Sequence, residues 1–289
     1  MRHWLAALLG SLAPALVAQP LTLGTLDDLD RTVGAELRQV ARHVVLLVPT
    51  ATLSFDSRGV IQAPVADRPP LCPGHPHAEE ARFAQSCSGV LLRPGVLLSA
   101  AHCIGSLEEK GWTAVLGHDG DPKTPYQHTQ VTGIRQRMQD DAGADVVVLS
   151  VAGDFGPRAG LAIRAPRARE DAHLLGHPQG LPLTASSCAR RRKACEPAPM
   201  VTQLGRDWFL ASLEGYPGSS GAPVFGSDGR TLIGLWSASP LVPSIDRARG
   251  CWQLPPLGPG HWGGRISRLD ALRRQLDADP PAERASTRP

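Results

Sequence analysis

Apolar residues along the chain gather in many short runs, separated by glycine, proline and small polar residues. Short runs that alternate, or are apolar throughout, predict strands, whereas apolar positions every three or four residues predict helices. "HVVLLVPTATL", from His43, reads as a strand. "CSGVLL", the turn "RPG" and "VLLSAAHC" read as a hairpin over 87–103. "WTAVLG" and "HTQVTGIR" are the next strands. "DVVVLSV", from Asp145, is almost wholly apolar and predicts a buried strand. "AHLLGHPQ", "MVTQLG", "WFLASL", "APVFGSDG" and "TLIGLWSA" follow, and Asp228-Gly229 marks a tight hairpin. Two segments carry a helical period. One places Leu29, Val33, Leu37, Val40 and Ala41 within 26–42. The other repeats Ile266, Leu269, Leu272 and Leu276 on one face, and Ser267 with Asp270 fits a capping box. Many short strands and one closing helix predict an all-β chain, either two packed barrels or a sandwich.

Composition sharpens this picture. Gly 30 and Pro 27, with 4% aromatic residues, suit short strands and many turns. The opening "MRHWLAALLGSLAPALVAQP" has a basic Arg2-His3 start, an apolar run from Trp4 to Val17 and small residues near its end. It reads as a signal peptide over 1–18, although Leu16 stands where a smaller residue is usual. The predicted location is secreted or periplasmic. No later run reaches 18 apolar residues without charge, so no stable membrane insertion is expected. All six cysteines lie beyond that segment, which implies a disulfide framework, and spacing leaves fifteen pairings open. There is no CxxC and no Cys/His ligand spacing, so no metal is expected. The net charge of +3 is modest. Its one dense cluster, Arg190, Arg191, Arg192 and Lys193 between Cys188 and Cys195, reads as a solvated loop and excludes nucleic acid as a partner.

Three places carry candidate chemistry. His102 follows an apolar strand, beside Cys103 and after the small Ala100 and Ala101. A general base needs such fixed placement. Asp145 begins the apolar strand, where a carboxylate is costly unless it is paired; an imidazole N–H is one partner, and solvent at a turn is the other. Asp140 and Asp141 are rivals in a polar turn. Ser219 and Ser220 lie between Gly218 and Gly221 in "GYPGSSGAPVF". Glycines let backbone N–H groups converge on one point, as an oxyanion site needs, but the same residues also suit a plain turn.

"SCSGVLLRPGVLLSAAHC", "DVVVLSV" and "PGSSGAPVF", in this order, resemble the chymotrypsin-like (trypsin-like) serine endopeptidases. "LLGHPQG" resembles a strand of the secreted bacterial, glutamyl-endopeptidase-like branch, with His177 in place of Tyr. The resemblance covers about 44–276. It implies two six-stranded antiparallel β-barrels packed together with a C-terminal helix. The first barrel would span 43–152 and the second, with the helix, 153–276. Residues 19–42 would be a propeptide or an N-terminal extension, and 277–289 a disordered tail. The resemblance gives the catalytic roles to His102, Asp145 and Ser220, and the oxyanion hole to the amides of Gly218 and Ser220. It requires no cofactor and implies a protein or peptide substrate; the chain is expected to be a monomer. It also implies a Cys87–Cys103 bridge. Of the remaining cysteines, Cys188–Cys195 closes a small loop at low entropic cost, which leaves Cys72–Cys251.

The sequence also departs from the family. Ser219 stands where relatives carry Asp or Asn, and Ala222 where Gly or Ser is usual. The pocket candidates are Glu214, Ser237, Ala238, Ser239, Gly263 and Gly264. Glu214, six positions before Ser220, would favour Arg or Lys before the cleaved bond if it reached the pocket floor. "LWSAS" holds no histidine, which argues against acidic specificity. An inactive, protease-like binding module is the alternative; its mark would be a lost triad residue, and none is lost.

Overall fold

Six strands of the first half close into a barrel. The computed structural model describes residues 31–57, 60–61, 70–75, 77–80, 82–83, 85–105, 111–121, 123–186, 200–255 and 263–273. The expected signal peptide over 1–18, the expected tail 277–289, the Arg190–Lys193 cluster and the expected Cys188–Cys195 pair lie outside the described residues. Helix α1 (Arg31–Ala41) leads into β1 (Val44–Pro49). Then come β2 (Cys87–Arg93), β3 (Val96–Ser99), β4 (Trp112–Leu116), β5 (Gln127–Gln139) and β6 (Asp145–Val151). They close in the order β1-β2-β3-β6-β5-β4, antiparallel throughout.

The period of two along a strand explains why "DVVVLSV" is apolar on both faces. Val147, Leu149 and Val151 fill the barrel with Val45, Leu47, Leu91 and Leu97. Val146 and Val148 point the other way. They join Val90 and Leu98, Leu37 and Val40 of α1, and Leu175, Phe225 and Leu235 of the second half in one core. The strand is therefore buried between barrel and partner sheet. Each fully buried Val or Leu contributes about 1.5–3 kcal/mol.

The second half holds β7 (His173–Gly176), β8 (Thr184–Ser186), β9 (Val201–Leu204), β10 (Trp208–Ala211), β11 (Pro223–Phe225), β12 (Leu232–Ala238) and β15 (Gly264–Arg268). A hairpin of β13 (Ser244–Asp246) and β14 (Cys251–Gln253) is inserted between β12 and β15. The seven strands form an open sheet in the order β8-β7-β11-β12-β15-β10-β9, not the second closed six-stranded barrel expected. Among the described residues the edge strands β8 and β9 do not pair with each other. β9 is exposed at three of its four residues and β8 is three residues long, so neither offers a long buried edge. Short apolar runs identify strands, but closure depends on which edges meet.

The expected C-terminal helix is also corrected. Ile266 and Ser267 belong to β15, where Ile266 pairs with Phe209 and Trp236. Within 263–273 only 270–273 are helical, and Leu276 lies outside the described residues. The spacing of Ile266, Leu269 and Leu272, all buried, arises from a strand running into a turn of helix rather than from one helical face.

Cys87 is bonded to Cys103, and Cys72 to Cys251. The second bridge ties β14 to 70–72, where the Cys72 amide donates to the Trp252 carbonyl. Among the described residues no helix is long and apolar enough to cross a membrane.

Candidate active site

Register brings the first two groups together. β3 and β6 pair antiparallel with Ser99 opposite Val147, so chain continuing beyond Ser99 runs toward Asp145. There it forms a single 3-10 turn, Ala101–Cys103, with Ala100 and Ala101 fully buried and Cys103 bonded to β2. His102 projects from this turn with 42% of its side chain exposed. Its Nδ1–H donates to Asp145 Oδ2 at 2.6 Å, and its backbone N–H donates to Oδ1 at 3.0 Å. The Ser237 hydroxyl donates to Oδ2 at 3.0 Å. Burial alone would raise the Asp145 pKa, but the His102 hydrogen bonds and charge and the Ser237 hydroxyl together hold it below the ordinary carboxylate value. With Nδ1 donating, Nε2 is an acceptor, and the Ser220 hydroxyl donates to it at 2.8 Å.

Ser220 is held by contacts from both halves. The Ser88 amide donates to the Ser220 carbonyl at 2.8 Å, and the Ser88 hydroxyl donates to the Gly218 carbonyl at 2.8 Å. Gly221, at φ +81°, lies so close to β2 and β3 that a Cβ there would meet Ser99 Oγ at 2.2 Å and the Ser88 carbonyl at 2.3 Å. Gly218 has φ +100°, and its Cβ would meet the Gln179 amide at 2.6 Å. Ser219 turns inward: it is 1% exposed and its hydroxyl accepts from the Tyr216 amide. Among the described residues, the Gly218 and Ser220 amides have no acceptor.

A family model described as a trypsin-like peptidase domain matches residues 87–235. The chain belongs to that family. Its fold is that of a trypsin-like serine protease carrying a His–Asp pair, and a protein or peptide substrate goes with it. No curated protein sequence matches the chain. Among solved structures it is similar to the crystal structure of Deg5, at 15% identity over 84% of this chain and 91% of that one, with a TM-score of 0.49.

The pocket candidates divide in two. Ser237 is turned to Asp145. Glu214 is 2% exposed, with its amide on Ser186 Oγ, and its charge adds to burial in raising the Tyr216 pKa. Ser239 donates to the Gly215 carbonyl. Ala238 is exposed, and Gly263 packs on the Ala211 backbone. The Trp236 indole fills the space between Gly215 and Gly264: a Cβ on either glycine would lie within 2.5 Å of the ring. The Tyr216 hydroxyl donates to Pro255 and so links this region to the β13–β14 insertion. His177 is buried and donates from Nδ1 to the Leu181 carbonyl.

Sequence reasoning missed Ser88, Gln179 and Ser267. The Ser267 hydroxyl accepts from the Asp145 amide and donates to the Gly143 carbonyl. No local pattern marks these three, because these partners lie 38 to 130 residues away along the chain. Among the described residues no group of three or more His, Cys, Asp or Glu side chains could hold a metal ion.

Proposed function

We propose that this trypsin-like peptidase is an exported serine endopeptidase that works through an acyl-enzyme. The observation that carries the reading is His102 bridging Asp145 at 2.6 Å and Ser220 at 2.8 Å. In this reading His102 Nε2 takes the Ser220 proton as Oγ attacks a peptide carbonyl. Asp145 keeps the imidazole in the tautomer that can accept and stabilises the imidazolium. The Gly218 and Ser220 amides receive the oxyanion. The proton passes to the leaving amine, and water then repeats the cycle on the acyl-enzyme. The chain's own residues suffice for each step. The export reading rests on the N-terminal apolar segment, and "LLGHPQG" favours the secreted bacterial branch.

A fluorophosphonate probe tests the roles. Wild type should be labelled, Ser220→Ala should not, and Ser219→Ala should keep most of the labelling. Equal loss from both substitutions would overturn Ser220 as nucleophile, and an unlabelled wild type would favour the inactive binding module.

Two readings of specificity follow. Preference for Arg or Lys rests on Glu214, a buried carboxylate that a long cation would match. A preference for small side chains is favoured by the Trp236 indole, which occupies the space between Gly215 and Gly264. A peptide library varied before the cleaved bond separates them: basic preference that vanishes in Glu214→Gln supports the first, and a small-residue profile the second.

A further inference from the structure

In a planar trans peptide the carbonyl and the following N–H point in opposite directions. Whatever holds the carbonyl of the preceding residue therefore aims the amide. The Ser220 amide is aimed from within its own loop, because the Ser219 carbonyl accepts from the Ala222 amide at 2.8 Å. The Gly218 amide is aimed from elsewhere. The Pro217 carbonyl accepts two hydrogen bonds, both from Gln179: one from its amide at 2.6 Å and one from its side-chain Nε2 at 3.2 Å.

Gln179 is shaped for this contact. It lies at φ +55°, ψ +19°, a left-handed conformation that residues other than glycine rarely adopt, and it is 3% exposed. Its turn is fixed on several sides. His118 Nε2–H donates to the Gly180 carbonyl at 3.0 Å, His177 Nδ1–H to the Leu181 carbonyl at 3.0 Å, and the Phe83 amide to the Gly180 carbonyl at 2.9 Å. Pro217 is exposed, so water can compete for its carbonyl. The second donor from the Gln179 side chain occupies the other lone pair and opposes rotation of the Pro217–Gly218 peptide.

We infer that Gln179 is a positioning residue for the oxyanion site, holding the Pro217–Gly218 peptide so that the Gly218 N–H faces the reacting carbonyl. This rests on Ser220 as the nucleophile. Gln179 touches no reacting atom; it acts through the peptide it pins.

Gln179→Glu keeps the shape but turns the second donor into an acceptor facing the Pro217 carbonyl. Gln179→Gly suits the left-handed backbone and keeps only the amide donor. Loss of a whole oxyanion donor lowers kcat about 10²–10³-fold, so a misaimed one in Gln179→Glu is expected to lower kcat at least about 10-fold with KM nearly constant. Affinity for a peptide aldehyde, whose hemiacetal oxygen sits in the oxyanion site, should fall by a similar factor. Gln179→Gly should lose less, roughly 3-fold or more, since one of two donors remains. Folded Gln179→Glu with kcat and aldehyde affinity at wild-type level, or with a raised KM alone, overturns the proposal; if that variant does not fold, Gln179→Gly decides by the same measures. Should wild type prove unreactive at Ser220, the endopeptidase reading fails on its own. Crystal structures then decide the role of Gln179: a Pro217 carbonyl rotated in either variant supports it, and one unmoved in both refutes it.

Discussion

Lowering the pH from 7.5 to 5 should strip this protein of much of its stability, through three buried histidines. Burial lowers His118 and His173 to about 4 and His177 to about 3, from an ordinary value of 6.5. For His177 the stacked His118 ring, with centroids 5.7 Å apart, adds to the same shift. In the unfolded chain these groups take up protons below about 6.5, whereas in the fold they resist until about 4 or 3. The unfolded state therefore binds more protons across that window, and stability falls as pH falls through it. At pH 5 each histidine costs about 2 kcal/mol, and the three together about 6 kcal/mol, against a total of about 5–15 kcal/mol for a typical domain. His43 and His75 are lowered mainly by burial and act in the same direction. Urea unfolding of the Ser220→Ala variant, chosen to avoid self-cleavage, measures this at pH 7.5, 6 and 5. Near pH 5 the slope should correspond to an uptake of about three protons on unfolding, and His173→Gln should remove about one. Asp145 and Asp228 are held below 3.8, so the stability they add is lost only as pH falls below that value. Equal stability at pH 7.5 and 5, with loss confined to pH below 4, would refute the histidine account.

Other outcomes follow from the same contacts. Asp145→Asn should lower kcat about 10⁴-fold while leaving the fold intact, because the neutral amide no longer fixes the imidazole tautomer; steady-state kinetics and circular dichroism check the two halves. Ser237→Ala removes one of three donors on Asp145 and should cost about 1 kcal/mol in urea unfolding. Replacing Cys87 and Cys103 together by Ala opens a cross-link of separation 16 and should cost about 3 kcal/mol, with a larger fractional loss of kcat because the His102 turn is released. Gly218→Ala sets a Cβ 2.6 Å from the Gln179 amide at φ +100°, and probe labelling of Ser220 should fall even where the protein folds.

The sequence by itself determined strands of the first barrel, most clearly β1, β2, β3 and β6, because one face of each of these fills the barrel and the other joins the core shared with the second half, so burial is written as apolar runs. It also pointed to His102, Asp145 and the Ser219-Ser220 turn, since a turn bounded by glycines and a carboxylate against an apolar strand stand out locally. Tertiary structure decided what depends on distant partners. Whether the second sheet closes rests on edges that short runs do not describe, and Ile266 is a strand residue only because β12 and β10 flank it. Ser219 and Ser220 are identical in local chemistry. Their difference comes from the fold, which buries one against Tyr216 and aims the other at His102. Gln179 and Ser88 join the site through hydrogen bonds to backbone carbonyls distant in the chain, and contacts of that kind leave no periodicity in either segment.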